Sequence, residues 1–280
     1  MEKTFDVGGP VHLDVQLTSG RIEVDATHES PAVVELIAHD EEAQELVDAA
    51  RVELRGRDLI VDVPWRRRGL GIGSLFHDRG VTCRVRCPEG SSLKTRTKSA
   101  DLTVRGTLAG ADVATASGDA EIGDITGDLV FKGASGDLRA GSIAGKVAVN
   151  TASGDVSLGT VGGTLNANSA SGDVSVEEVA GDAKANTASG DISIDSVVSG
   201  DVTVNSASGD VRVGIARGSR AYLDCSTVSG DTRSELGVSG DEPDGEGPLV
   251  NVRARTVSGD IAIVRGSASA AADHIQEVEA

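Results

Sequence analysis

Thr151-Ala152-Ser153-Gly154-Asp155-Val156-Ser157-Leu158 is one copy of a phrase the chain repeats: Ser-Gly-Asp ends at Asp119, Asp137, Asp155, Asp173 and Asp191, each 18 residues after the last. Self-similarity at a short fixed period is the signature of a solenoid, in which each repeat buries its apolar face only by stacking on its neighbours. The register reaches back to Asp101, where Ala100 replaces the glycine, and forward to Asp210, Asp231 and Asp260 at spacings of 19, 21 and 29 residues. The growing intervals read as insertions. The longest holds an acidic stretch, 237–248, whose glycines and prolines cannot continue a strand. About nine coils follow from this count.

Inside a coil, apolar residues alternate with polar ones as in half-buried strands. Val156 and Leu158, Val174 and Val176, and Ile192 and Ile194 form a first strand. A lone apolar position comes next, at Ile125, Ile143, Val161, Val179 and Val197, and then a second strand with Leu129 and Phe131, Val147 and Val149, Leu165 and Ala167, or Val202 and Val204. Gly127, Gly145, Gly163, Gly181 and Gly200 mark a second corner, where positive φ is expected. The predicted fold is all-β: a single-chain parallel β-solenoid, or β-helix, of 18-residue coils about 4.8 Å apart. Such a coil encloses only a few side chains per layer, in keeping with a chain that is 2 % aromatic.

Residues 1–97 do not hold the period and are expected to form a β-rich N-terminal cap, although Thr18-Ser-Gly-Arg-Ile-Glu-Val-Asp25 echoes it. Within the cap the pattern predicts a strand over 32–38, a short helix N-capped by Asp40, and a hairpin around Arg55-Gly-Arg-Asp58. Residues 98–265 form the solenoid and 266–280 a mobile tail.

With 44 acidic against 26 basic residues the net charge is −18, which repels a phosphate backbone, so nucleic acid is not an expected partner. No stretch approaches the roughly 20 apolar residues that cross a bilayer. The N-terminus lacks the basic-then-apolar layout of a secretory signal, and three cysteines suit a reducing compartment; the expected location is cytoplasmic. All five histidines, His12, His28, His39, His77 and His274, lie outside coils 101–210. With no nucleophile–base constellation, phosphate loop or metal-spaced set, the chain is not expected to be an enzyme or to hold a cofactor.

Two places stand out as candidate sites. Trp65, Arg66, Arg67, Arg68, Leu75 and Phe76 place the lone Trp beside three arginines in an acidic chain, which suits a docking loop for an unidentified protein partner. The ladder Asp101, Asp119, Asp137, Asp155, Asp173, Asp191, Asp210, Asp231 and Asp260 stacks carboxylates at coil spacing, so their repulsion needs compensation. Hydrogen bonds from each turn's own backbone N–H groups, as in Asx turns, would supply it, with the preceding glycine providing the unusual φ; Ca²⁺ between coils is the alternative. A third row, Thr115 and Ser117, Thr151 and Ser153, Thr187 and Ser189, continues the inward parity and should tuck into the corner rather than order ice.

The Thr-Ala-Ser-Gly-Asp-Val-x-Val phrase, the β-rich first third and Ser99-Ala-Asp-Leu-Thr-Val104 resemble the bacterial "putative adhesin" family of β-strand-repeat proteins. The resemblance implies a β-solenoid without an established catalytic set, in a family sometimes attached to envelope-stress or membrane-anchored proteins. The expected function is a non-catalytic scaffold or protein-binding module. The alternatives are a filament self-assembling through an open edge at the Asp260 coil, a Ca²⁺-binding rod, and a polysaccharide-acting β-helix enzyme.

Overall fold

The computed structural model describes residues 1–64, 80–236 and 247–266. They fall into two compact units, Met1–Gly141 and Ser142–Ala280. The docking-loop residues Trp65, Arg66, Arg67, Arg68, Leu75 and Phe76, the tail from 267 onward, and 237–246 of the acidic stretch lie outside the described residues.

The first unit contains β1 (Glu2–Phe5), β2 (His12–His28), β3 (Ala32–Ala38), α1 (Glu41–Asp48), β4 (Arg51–Arg55), β5 (Asp58–Asp62), β6 (Val81–Pro88), β7 (Ser92–Leu108), β8 (Gly110–Ala114), β9 (Ala120–Ile125), β10 (Leu129–Lys132) and β11 (Leu138–Ala140). The expected helix is present: Asp40 Oδ1 accepts from the Ala43 N–H at 2.7 Å, and Ala43 and Val47 form its buried stripe. The 32–38 strand is β3, and β4–β5 is the antiparallel hairpin.

The boundary expected at 97/98 has no counterpart, because β7 runs across it. The long strand β2 pairs in parallel with β7 along nearly its whole length, setting Ser19 against Ser99 and Arg21 against Asp101. On its other side β2 pairs in parallel with β5 through residues 12–16 and with β6 from Gly20. The echo at 18–25 is therefore a true row of the parallel ladder. The antiparallel pairings β3–β6, β1–β3 and β4–β5 are laid onto it as a finish.

The second unit contains β12 (Val147–Thr151), β13 (Val156–Val161), β14 (Leu165–Ser169), β15 (Val174–Val179), β16 (Ala183–Thr187), β17 (Ile192–Val197), β18 (Gly200–Ser206), β19 (Val211–Ile215), β20 (Arg220–Ser229), β21 (Thr232–Ser234), β22 (Leu249–Ser258) and β23 (Ile261–Arg265). One parallel row sets Val147, Leu165, Ala183 and Val202 side by side. Another aligns Val156, Val174, Ile192 and Val211. Each of these side chains is at least 98 % buried, and full burial of a Val, Leu or Ile is worth about 1.5–3 kcal/mol, so the core is a sum of small equal layers.

The last coils do not stack in chain order. β22 lies between β18 and β20, and β23 between β19 and β21. The coil ending the chain's ladder is therefore inserted beneath its predecessor. The 21- and 29-residue spacings, read from sequence as insertions, instead record the chain passing out to build β20–β21 and returning to build β22–β23. The open edge expected at Asp260 is thereby corrected, because that coil is covered by the coil of Asp231.

The corner glycines also differ from expectation. Of the five second-corner glycines only Gly200 has positive φ, and among the described glycines that precede the ladder aspartates only Gly230 and Gly259 do, near 150°. Elsewhere the requirement is space. A Cβ on Gly172 would stand 2.0 Å from the carbonyl oxygen of Gly154, and one on Gly136 at 2.0 Å from that of Gly118. Stacking at β spacing leaves no room for a side chain at that corner.

Candidate functional site

The aspartate ladder bonds between coils rather than within a turn. Asp119 Oδ1 accepts from the Asp137 N–H at 2.9 Å in the first unit. In the second, Asp155 accepts from Asp173 at 3.0 Å, Asp173 from Asp191 at 2.8 Å, and Asp191 from Asp210 at 2.7 Å. The series then follows the spatial order: Asp210 accepts from Asp260 and Asp260 from Asp231, both at 2.8 Å. Each of these acceptor carboxylates takes an amide proton from the neighbouring coil, which offsets the repulsion along the row. Among the described residues no group of three His, Cys, Asp or Glu side chains is placed to hold a metal ion.

Of the hydroxyl row only the threonines turn inward; Ser117, Ser153 and Ser189, at the tip of the corner, are exposed, which corrects the expectation for them. Thr151 and Thr256 are buried; Thr151 Oγ1 accepts from the Gly154 N–H at 3.2 Å, and Thr256 Oγ1 donates to the Gly209 carbonyl at 3.2 Å. Facing outward is a row that sequence reasoning missed. Asn168 Nδ2 donates to Asn150 Oδ1, Asn186 to Asn168, and Asn205 to Asn186, at 3.1, 2.9 and 2.9 Å. The recurrence of Asn immediately after the second-strand apolar pair was its available signal. An amide can donate to one neighbour and accept from the other, so such a ladder closes on itself.

One concave feature of the first unit is a groove of about 660 Å³ on the outer face of β3, β6, β2, β7 and β9. Its walls are charges of opposite sign set across neighbouring strands. Arg21 faces Asp101, and Asp25 faces both Arg105 and Arg86. Arg84 bonds Glu23 at 2.7 Å and reaches Glu35 at 3.7 Å; those two carboxylates, Glu23 foremost, raise its pKa. The 18-residue period does not cover β2 or β6, which is why this face was not anticipated. The alternations Arg21-x-Glu23-x-Asp25 and Arg84-x-Arg86 carried the signal.

The cysteines are free thiols. Burial pushes Cys83 up to about 12 and Cys87 up to about 11, whereas Cys225, on β20, is half-buried and raised in the same direction. Deeply buried, high-pKa thiols are packing residues rather than nucleophiles.

No helix among the described residues is long and apolar enough to cross a membrane. A search of curated proteins finds no match. Among solved structures, a "putative adhesin" from Bacteroides fragilis superposes with a TM-score of 0.46 at 12 % identity, over 94 % of this chain and 96 % of that one. A "putative adhesin" from Parabacteroides distasonis gives 0.42 at 14 % identity, over 94 % and 96 %. A "putative lipid binding protein" from the same species gives 0.39 at 14 %, over 94 % and 97 %. Residues 11–199 match the family model described as Toastrack DUF4097, and with that span the chain belongs to the Toastrack family of β-solenoids.

Proposed function

We propose that the chain is a non-catalytic protein-binding module whose docking face is the charged groove of the first unit. The observation that carries this reading is the groove's alternation of guanidinium and carboxylate groups on strands held by a continuous hydrogen-bonded ladder. Fixed charges of both signs select a polypeptide surface of complementary mixed charge more readily than a polyanion, because electrostatic complementarity acts mainly on specificity and association rate. Among the described residues no histidine or cysteine lines the groove, and apart from Asp101 and Asp119, neighbours in the ladder joined by a backbone N–H, its acidic residues on β2 lie across from guanidiniums, an ion-pair arrangement and not an acid–base one. The segment from Trp65 to Phe76 leads into β6, the strand bearing Arg84 and Arg86, and in this reading supplies a second contact.

The reading places the protein in a reducing compartment, where its thiols stay unpaired. It treats the aspartate row as a backbone-bonding device, so millimolar Ca²⁺ should leave the melting temperature unchanged; a rise of several degrees would give the row a cation role. The docking face is tested by crosslinking and affinity capture from the host, comparing wild type, Arg84→Glu with Arg105→Glu, and the fourfold Ser variant of Trp65 and Arg66 to Arg68. A partner held by wild type, released by salt and lost with the groove variant supports the reading. Unchanged recovery with both variants removes it.

A further inference from the structure

The terminal coil of the second unit is exposed in three ways at once. Among the described residues β20 has β22 as its ladder partner on one side and none on the other. The large apolar side chains most exposed among the described residues, Met1 apart, all lie here: Tyr222 at 63 % and Val228 at 82 % on β20, Leu249 and Val257 on β22. The inward-pointing Leu223 and Cys225 are only half-buried, although their register partners Val252 and Ala254 are fully so.

We propose that this edge binds a second copy of the chain, with β20 pairing antiparallel to β20 of the other protomer about a twofold axis at Tyr222. The backbone permits that register. The Arg220 N–H donates toward the β22 side, to the Pro248 carbonyl at 2.9 Å. By strand alternation the amides of Ala221, Leu223 and Cys225 then point to the open side. Centring on Tyr222 sets Ala221 of one copy opposite Leu223 of the other as hydrogen-bonded pairs, and sets the two Tyr222 rings at the close, non-hydrogen-bonded position.

The side chains favour the same register. It sets Arg220 opposite Asp224 twice, once on each side of the axis, whereas centring on Asp224 would oppose two carboxylates. Asp224 is already held from behind by Arg253 at 3.2 Å and Arg255 at 3.6 Å, so it is presented in a fixed place. A filament would need a second complementary edge. The outermost strands of the first unit, β1 and β4, are four and five residues long and charged: Lys3 Nζ donates to the Val52 carbonyl, and Glu53 is paired with Arg51 and Arg55. Short charged edges are poor templates. An isologous contact closes at two copies.

The test is light scattering of the full chain, with amide hydrogen exchange read on the same samples. Wild type is expected to show twice the 28.4 kDa chain mass, with concentration-dependent protection of the Leu223 and Cys225 amides. Arg220→Asp and Asp224→Arg each place like charges opposite and should weaken the dimer at least tenfold, whereas an equimolar mixture of the two variants restores both pairs and the dimer mass. Three results would overturn the proposal. They are a wild-type monomer up to about 100 µM, which would make any dimer weaker than about −5.5 kcal/mol, whether or not the β20 amides are protected; a dimer indifferent to both reversals; and a dimer in which those amides exchange freely.

Discussion

Thr227-Val-Ser-Gly-Asp231 and Thr256-Val-Ser-Gly-Asp260 are the same five residues, yet their coils live in different environments. In the β22–β23 coil, Val250, Val252, Ala254, Ile261 and Ile263 are essentially sealed. In the β20–β21 coil, Leu223 and Cys225 are half-buried, and Thr232 and Ser234 are exposed. The shared phrase builds the corner. The residues between corners decide whether a coil sits inside the stack or ends it, and Thr and Ser at the positions of Ile261 and Ile263 mark the one that tolerates water.

The sharpest way to break this comparison is a charge at matched positions. Ile263→Asp buries an unpaired carboxylate and should cost more than about 4 kcal/mol, whereas Ser234→Asp, its register partner, should stay within about 0.5 kcal/mol in urea unfolding. Equal effects would mean that the two coils are equally covered. Next come the glycines. A Cβ on Gly259 would stand 2.2 Å from the Gly209 carbonyl oxygen, and one on Gly230 2.1 Å from that of Gly259. Gly259→Ala, clamped between coils, is expected to cost about 3 kcal/mol. Gly230→Ala should cost visibly less, since the last coil can tilt outward.

The thiols extend the contrast between covered and uncovered positions. Cys83 and Cys87 have native pKa values near 12 and 11 against an ordinary value of 9. Below pH 9 folded and unfolded chains both carry thiols and the contribution is whole. Above it the unfolded thiols ionise first, so stability should fall by about 1.4 kcal/mol per pH unit per thiol until the native pKa is reached. At pH 8 a thiol reagent should modify Cys225 well before the other two, by mass spectrometry of the native protein. The smallest effect is in the ladder. Asp260→Ala removes the acceptor of the Asp231 N–H and should lower stability by about 1 kcal/mol, whereas Asp231→Ala, at the end of the row, should change it by less than about 0.5 kcal/mol in thermal melts.

Much of this fold was legible because a fixed period repeats one decision many times. Ile143, Val161, Val179 and Val197 could be placed inward from any single coil, and all are buried. The order of the final coils was not read, because a period records distance along the chain and not which neighbour a coil chooses. The polar pair Thr232 and Ser234 held that information in its side chains. The glycine argument failed in an instructive way: the residue was correctly singled out, but except at Gly200, Gly230 and Gly259 the cause is the approach of the coil beneath rather than a dihedral angle. The charged groove was hidden because β2 and β6 meet through pairings far apart in sequence, which no local pattern reports. The aspartates were identified one by one, yet their partner is the next coil's amide, visible only once coils are stacked.

The returning coil has a consequence for how the protein is made. A ribosome adds about 5–20 residues per second, so the 29 residues from Asp231 to Asp260 occupy roughly 1.5 to 6 seconds of synthesis. Throughout that interval the coil of Asp231 has emerged while its native neighbour has not, and the exposed face of β18–β19 offers it the same corner phrase. The nascent chain therefore has a ready wrong berth, which must be vacated for the late arrival to slide in. Lengthening the stretch that carries the chain out and back would lengthen that stay, and refolding from denaturant, where both coils compete at once, should follow different kinetics from synthesis.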